Sequence, residues 1–193
     1  MDALAPITEL EAINEMLQGI SESPVETIED GNSDVQSAQT LLRSKSRQFQ
    51  SIGWNFNTER MTLTPNGSDQ IVLGSTYLKV SIAPEHKYRQ LVERNRKLYD
   101  KLNNTYTIED DVEADVVIGL TWDELPVPAR SYILALAGYE FCVPELGADP
   151  NISFTKERVQ RTYSEFLQHE VESGSANMLE DNELCQRLLK RRI

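Results

Sequence analysis

Gln50-Ser51-Ile52-Gly53-Trp54-Asn55-Phe56-Asn57 (QSIGWNFN) is the stretch at which the chain changes character. Upstream of it, Val35, Ala38, Leu41, Leu42, Phe49 and Ile52 recur with a period near 3.6 while Arg43, Lys45 and Arg47 fall outside the stripe. That pattern predicts a helix over residues 34–52, opened by Ser33 or Asp34 as cap. Gly53 is placed to end it in the left-handed conformation that helix C-termini favour. Downstream, Trp54, Phe56, Met61 and Leu63 alternate with polar residues as far as the turn signal Pro65-Asn66-Gly67, which is the period of a strand. The chain passes from helix to β structure at one glycine, and the fold class is α+β.

Working outward, Thr8 followed three residues later by Glu11 has the form of a reciprocal cap, and Leu10, Ile13, Leu17 and Ile20 give a helix over 9–19. Ser23-Pro24-Val25 and Asp30-Gly31-Asn32 make the following loop. On the other side, Ile71–Leu73, Tyr77–Ile82, Thr105–Ile108 and Val116–Leu120 read as strands of a small antiparallel sheet. Residues 86–102 fit a helical stripe through Tyr88, Leu91, Leu98 and Leu102 about as well as a hairpin of Leu91–Arg94 and Lys97–Lys101 around Asn95-Arg96, and periodicity does not decide between them. Leu125-Pro126-Val127-Pro128 opens a helix over 128–142, ended by Pro144. After the linker Asp149-Pro150-Asn151, Ser153 or Thr155 opens a last long helix with Val159, Tyr163, Phe166, Leu167 and Val171 on one face, ending near Ser173-Gly174. The expected organisation is N-terminal helices over 1–53, a β-rich region with a hairpin over 54–122, C-terminal helices over 123–179 and a basic amphipathic tail over 180–193.

The chain has 193 residues and a formal charge of −12. Leu, Ile, Val and Phe supply about a quarter of it, enough for a packed core. An acidic balance excludes nucleic-acid binding through a broadly basic surface. Two cysteines, Cys142 and Cys185, make neither a disulfide framework nor a metal motif and fit a reducing compartment. No apolar run reaches membrane-spanning length, and the N-terminus lacks the features of an export signal. His86 and His169 stand apart from each other, with no Cys or His at metal-ligand spacing, and nucleotide-binding and nucleophile motifs are absent. Charge is uneven: residues 85–101 carry six basic and three acidic side chains, while 109–124 carry seven acidic ones and no basic one. Oppositely charged neighbours point to a subunit contact or to two solvated faces.

The QSIGWNFN stretch, at the end of a helix that follows Ser23-Pro24-Val25-Glu26-Thr27-Ile28-Glu29, resembles the tail tubular protein A family of short-tailed bacteriophages, the podoviruses. The resemblance continues in order through Leu98-Tyr99-Asp100, through Trp122-Asp123-Glu124-Leu125-Pro126 ahead of a helix, and through Asn177-Met178-Leu179. Where that family often has a glycine-containing turn, this chain has Asn95-Arg96-Lys97.

The resemblance implies a structural virion protein and no enzyme, with no cofactor and no metal. It implies a head-to-tail connector: a homo-oligomeric ring of about twelve copies, with the portal protein above and tail tubular protein B, the nozzle, below. Tail fibre proteins attach to such a ring, and DNA passes through it during ejection without specific binding or membrane insertion. Its location would be the virion tail, assembled in the host cytoplasm. The implied fold is an antiparallel helical bundle with a small antiparallel sheet and a protruding hairpin, which favours the hairpin reading of 90–101. Gly53, Trp54, Phe56 and Asn57 form the junction motif, with Trp54 and Phe56 expected in the core. Asn177, Met178 and Leu179, after the helix stop, are expected to fold back or dock on a neighbour. Glu109, Asp110, Asp111, Glu113 and Asp115 are the expected channel lining, because carboxylates repel phosphates across a Debye length of about 8 Å. Arg94, Arg96, Lys97, Arg187, Lys190, Arg191 and Arg192 are the expected contacts with a neighbour, the portal or the nozzle. The alternative is a tail-associated polysaccharide or peptidoglycan hydrolase using a carboxylate pair such as Asp110 with Asp111 or Asp123 with Glu124.

Overall fold

Thr8 opens the first helix, α1 (Glu9–Gly19), by the reciprocal cap its sequence encodes. Its hydroxyl accepts a bond from the Glu11 amide at 3.2 Å, and the Glu11 carboxylate accepts one from the Thr8 amide at 2.8 Å, so two donors orphaned at the helix start are satisfied. The structure, a computed structural model, describes residues 5–29, 33–84, 89–146 and 154–181, apart from the side chains of 144–146 and 175–181. Within these residues lie α2 (Ser33–Gln50), α3 (Val127–Leu146) and α4 (Lys156–Asp181), and five strands: β1 (Thr58–Leu63), β2 (Tyr77–Ile82), β3 (Leu91–Arg94), β4 (Lys97–Asp100) and β5 (Val112–Ile118). The architecture is mixed α+β. The chain divides into two units, a helical one of residues 1–46 with 122–193 and a β one of residues 47–121.

In the helical unit α3 packs against both α1 and α4. Ile13, Met16 and Leu17 of α1, Ala129, Ile133 and Ala137 of α3 and Phe166 of α4 are fully buried, the three- and four-residue spacing that puts side chains on one helix face. Phe154 is buried beside two glycines: a Cβ at Gly138 would lie 2.3 Å from its ring, and one at Gly19 3.3 Å. Asn14 ties down the chain after α1 by pairing with both backbone groups of Val25, at 2.9 and 2.8 Å. Thr155 caps α4 through the Arg158 amide, 3.1 Å away.

In the β unit, β5 is the middle strand of an antiparallel sheet ordered β1-β5-β2, and β3 and β4 form a separate hairpin. Val112, Ala114 and Val116 alternate onto one face of β5, where they share a core with Leu63, Ile71, Leu73, Leu91, Leu98 and Ile108. Thr58 pairs with Val117 and Leu63 with Val112 across the sheet. Asn95 and Arg96 have φ of 50° and 57°, the doubly left-handed turn whose twist suits a two-residue hairpin. The hairpin is therefore present, against the helical stripe that the same residues offer.

Several expectations are corrected. Trp54 and Phe56 belong to no strand: residues 55–57 make a turn of 3-10 helix before β1 begins. Both rings are half-buried instead of sitting in the core. Ile71–Leu73 contributes an isolated bridge from Val72 to Lys97, and Thr105–Ile108 one from Thr105 to Asp100, in place of strands. α2 starts at Ser33 itself, so Ser33 is the first helical residue and not a preceding cap. α3 runs past Pro144 to Leu146, and α4 runs through Ser173-Gly174 to Asp181. Asn177, Met178 and Leu179 thus continue a helix and do not fold back from its end. Residues 30–32, 86, 149–151 and 153, Cys185 and most of the basic tail, including Arg187, Lys190, Arg191 and Arg192, lie outside the described residues.

Gly138→Ala forces a methyl group into the Phe154 ring and is expected to lower stability by about 1–3 kcal/mol. Gly67→Ala, whose added Cβ meets nothing within 4 Å, serves as control in the same thermal melts and should change little.

Candidate functional site

The QSIGWNFN motif works through its two polar ends. Gln50 and Asn57 are each 2% exposed. The Gln50 carboxamide accepts from the Leu120 amide at 2.7 Å and donates to the Leu120 carbonyl at 3.1 Å. Asn57 donates to the carbonyls of Gln50 and Ile118, at 3.0 and 2.9 Å, and accepts from the Trp54 amide at 2.9 Å. Gly53 makes the bend with φ +89° and passes so close to Val117 that a Cβ there would lie 2.9 Å from it. The indole of Trp54 donates to the Phe49 carbonyl at 2.9 Å, and its ring lies 5.1 Å from that of Phe49.

The predicted basic contacts of the hairpin are all engaged within the β unit. Arg94 lies over the Tyr99 ring at 4.1 Å, and Tyr99 meets Tyr106 edge to face. The Arg96 guanidinium donates to the Gly74 carbonyl, and its own carbonyl accepts from the Leu73 amide at 2.8 Å, so this turn position is held without glycine. Lys97 donates to the Gln70 side chain at 2.8 Å. These three partners are a ring, a carbonyl and an amide, so none of them cancels a charge.

The five predicted channel carboxylates do not behave alike. Asp110 is ion-paired with Arg89, and Glu113 accepts two bonds from Arg60, at 3.0 and 3.1 Å. Glu109 and Asp111 are exposed, and Asp115 stands opposite Arg60 on β1 and Ser81 on β2. For Glu109, Asp111 and Asp115 there is no salt bridge among the described residues. A groove of about 300 Å³ runs between the base of the hairpin and residues 107–110, lined by Arg89, Leu91, Asp100, Leu102, Asn103 and Asp110 among others. Its buried carboxylate, Asp100, is turned inward to accept from the amides of Leu102 and Asn103, at 2.8 and 3.1 Å, and from the Asn103 side chain at 2.8 Å. Asp100 thus builds the turn after β4 and is not aimed at a ligand. No group of three or more His, Cys, Asp or Glu residues able to hold a metal occurs among the described residues.

The model of the family described as tail tubular protein matches residues 10–176, a span that takes in most of the helical unit and all of the β unit. The chain belongs to the tail tubular protein family. It is 26% identical over 164 residues to tail tubular protein A of Klebsiella phage KP34, an alignment covering 84% of this chain and 87% of that protein. A chain from a solved neck of an empty GTA particle, computed with C6 symmetry, is 17% identical, with 83% of this chain and 95% of that one covered. Its TM-score of 0.29 is too low to inform the fold. Family membership makes this tail tubular protein a structural component of a viral tail. No helix among the described residues is long and apolar enough to cross a membrane.

Arg130 is a structural residue that sequence reading passed over. It is buried, and its guanidinium donates to the carbonyls of Leu125, Ile7 and Asp123, at 2.9, 3.2 and 2.5 Å. Trp122 donates to the same Ile7 carbonyl at 2.9 Å, so the Trp122–Pro126 motif holds the entry to α1. The signal available was weak: a lone arginine at the start of an apolar helix, four residues after Pro126. The Cys142 thiol is buried and its pKa is pushed up by that burial, which leaves it without nucleophilic character at neutral pH.

Burial raises the Asp100 carboxyl, and the bonds from Asn103 and Leu102 with the nearby charge of Arg89 outweigh it, so its pKa lies below the ordinary value. A carboxylate depressed on folding stabilises the native state above its unfolded pKa, and that stabilisation is lost as pH falls through the folded pKa. In urea titrations the wild type should therefore lose stability as pH drops below about 4, while Asp100→Ala is less stable at pH 7 and shows a shallower acid loss. Parallel pH curves would remove Asp100 as the cause.

Proposed function

We propose that this tail tubular protein is the protomer of a ring that joins the portal above to the tail nozzle below and forms part of the DNA ejection channel. What supports the reading is that the family match runs through most of the helical unit and the whole β unit, so the likeness is not confined to one small module. In this reading the helical unit and the hairpin of the β unit supply the contacts between copies, and the β unit also meets other partners, including tail fibres. The domain limits proposed from sequence, 1–53, 54–122, 123–179 and 180–193, serve this division of labour.

The channel lining narrows to Glu109, Asp111 and Asp115. Asp110 and Glu113 are largely neutralised by Arg89 and Arg60, so they add little net field. A lumen bearing unpaired carboxylates lets DNA slide because it offers phosphates no counter-charge. Arg94, Arg96 and Lys97 and the tail residues Arg187, Lys190, Arg191 and Arg192 contact protein partners, the tail meeting the portal.

Negative-stain microscopy of the purified protein, alone and with portal, should give uniform rings with a central hole; particles that stay monomeric even with portal present would contradict the reading. Changing Glu109, Asp111 and Asp115 together to lysine should leave rings intact and slow genome ejection from assembled particles. Unchanged ejection would place these carboxylates on the outer wall. Truncation before Leu184 should weaken portal pull-down more than ring formation.

A further inference from the structure

α4 outruns the helix it packs against. Phe154, just before α4, lies against Gly138 of α3, and Tyr163 lies 5.0 Å from Tyr132, so the two helices run in opposite directions. Continued at the same rise per residue, this pairing brings the first residue of α3, Val127, level with about residue 168 of α4. The remaining residues to Asp181 extend about 20 Å further. Phe166 is fully buried, whereas Leu167 is 37% exposed and Val171, beyond the end of α3, 69%. Tyr163, Leu167 and Val171, each four residues apart, make one apolar ridge. From Glu165 to Asp181 the sequence of the helix has five acidic residues and no lysine or arginine, with Glu165 pairing back to Arg161 at 3.8 Å.

The β unit carries a surface of opposite sign. Val72 is 54% exposed and bridged to Lys97, beside Arg94 and Arg96, whose charges, like that of Lys97, meet no carboxylate among the described residues.

We propose that the C-terminal part of α4, from Leu167 onward, docks in one copy on the hairpin face of the next copy, Leu167 and Val171 packing against Val72 while the acidic character of this part of the helix complements Arg94, Arg96 and Lys97. The inference rests on the ring reading above and names its subunit contact. Every copy carries one surface of each kind, so the contact is head-to-tail and repeats until the ring closes. Pairing two α4 ridges, or two hairpin faces, sets like charges together, which disfavours a two-fold dimer and leaves the mixed pairing.

The test uses the full chain with Cys185→Ser, leaving buried Cys142 in place, and adds Val72→Cys and Val171→Cys singly and together. Under mild oxidation the double variant should give a ladder of covalent multimers on a non-reducing gel, and each single variant should stay monomeric. Efficient dimers from either single variant would mean like surfaces meet and would overturn the proposal. A disulfide closed within one chain would overturn it as well. Rings in the microscope without a ladder would overturn this contact and leave the ring reading standing, whereas neither rings nor ladder would overturn both. Leu167→Glu with Val171→Glu should reduce the assembled fraction by about tenfold or more at equal protein concentration; undiminished assembly would count against the contact.

Discussion

Gln50 and Asn57 bury two carboxamides at the point where the chain turns from α2 into β1; Gln50 binds both backbone groups of Leu120, two residues past β5, and Asn57 binds the Ile118 carbonyl at its end. Water is excluded there, so each bond left unmade would cost the desolvation of a buried backbone group, about 1–3 kcal/mol. The Asn57 side chain reaches the Ile118 carbonyl one position before Thr58 pairs with Val117, so it acts as the first rung of the β1–β5 ladder. A slip by one residue would turn Val112, Ala114 and Val116 out of the core and would break this rung. β5 is paired on both sides, so a register fixed at its end is passed on to β1 and β2. The bend that brings Gln50 and Asn57 together needs Gly53, both for its positive φ and for its closeness to Val117.

The segments that carry the likeness to the family are, in this chain, devices of folding. Gln50 to Asn57 sets register, Tyr99 and Asp100 build the stack and turn at the base of the hairpin, and Trp122 with Arg130 holds the entry to α1. In the proposed ring, assembly instead falls to surfaces, where charge arrangement decides. A formal charge of −12 is not spread as a uniform shell: Arg89 and Arg60 pair with two carboxylates locally, while the sequence of the C-terminal half of α4 is acidic and the hairpin turn is basic.

Local signals were the legible ones. The Thr8–Glu11 cap, the boundaries of α1, the positive φ of Gly53 and Tyr77–Ile82 as a strand all follow from short-range chemistry, and each is present, although α2 ends at Gln50, two residues before the expected Ile52. The hairpin was ambiguous because Leu91 and Leu98 suit either period; positive φ at Asn95 and Arg96, which only packing and the Arg96–Gly74 bond secure, settles it. Trp54 and Phe56 suggest core because they are aromatic, whereas the buried side chains of that motif are amides with partners about 60 to 70 residues away. Gly174 reads as a helix stop, yet α4 continues through it, because glycine in a helix costs only about 1 kcal/mol. The ion pairs of Asp110 and Glu113 join distant strands and segments, so composition showed a uniform acidic cluster where the structure divides it.

Amide hydrogen exchange on Asn57→Ala, compared with wild type, bears most directly on the control of register by the Gln50 and Asn57 carboxamides. The account predicts that protection falls together across Val112–Ile118 and at Leu120, the amide bonded to Gln50, because losing the first rung loosens the whole ladder. Loss confined to the Trp54 amide, with β5 as protected as before, would contradict it.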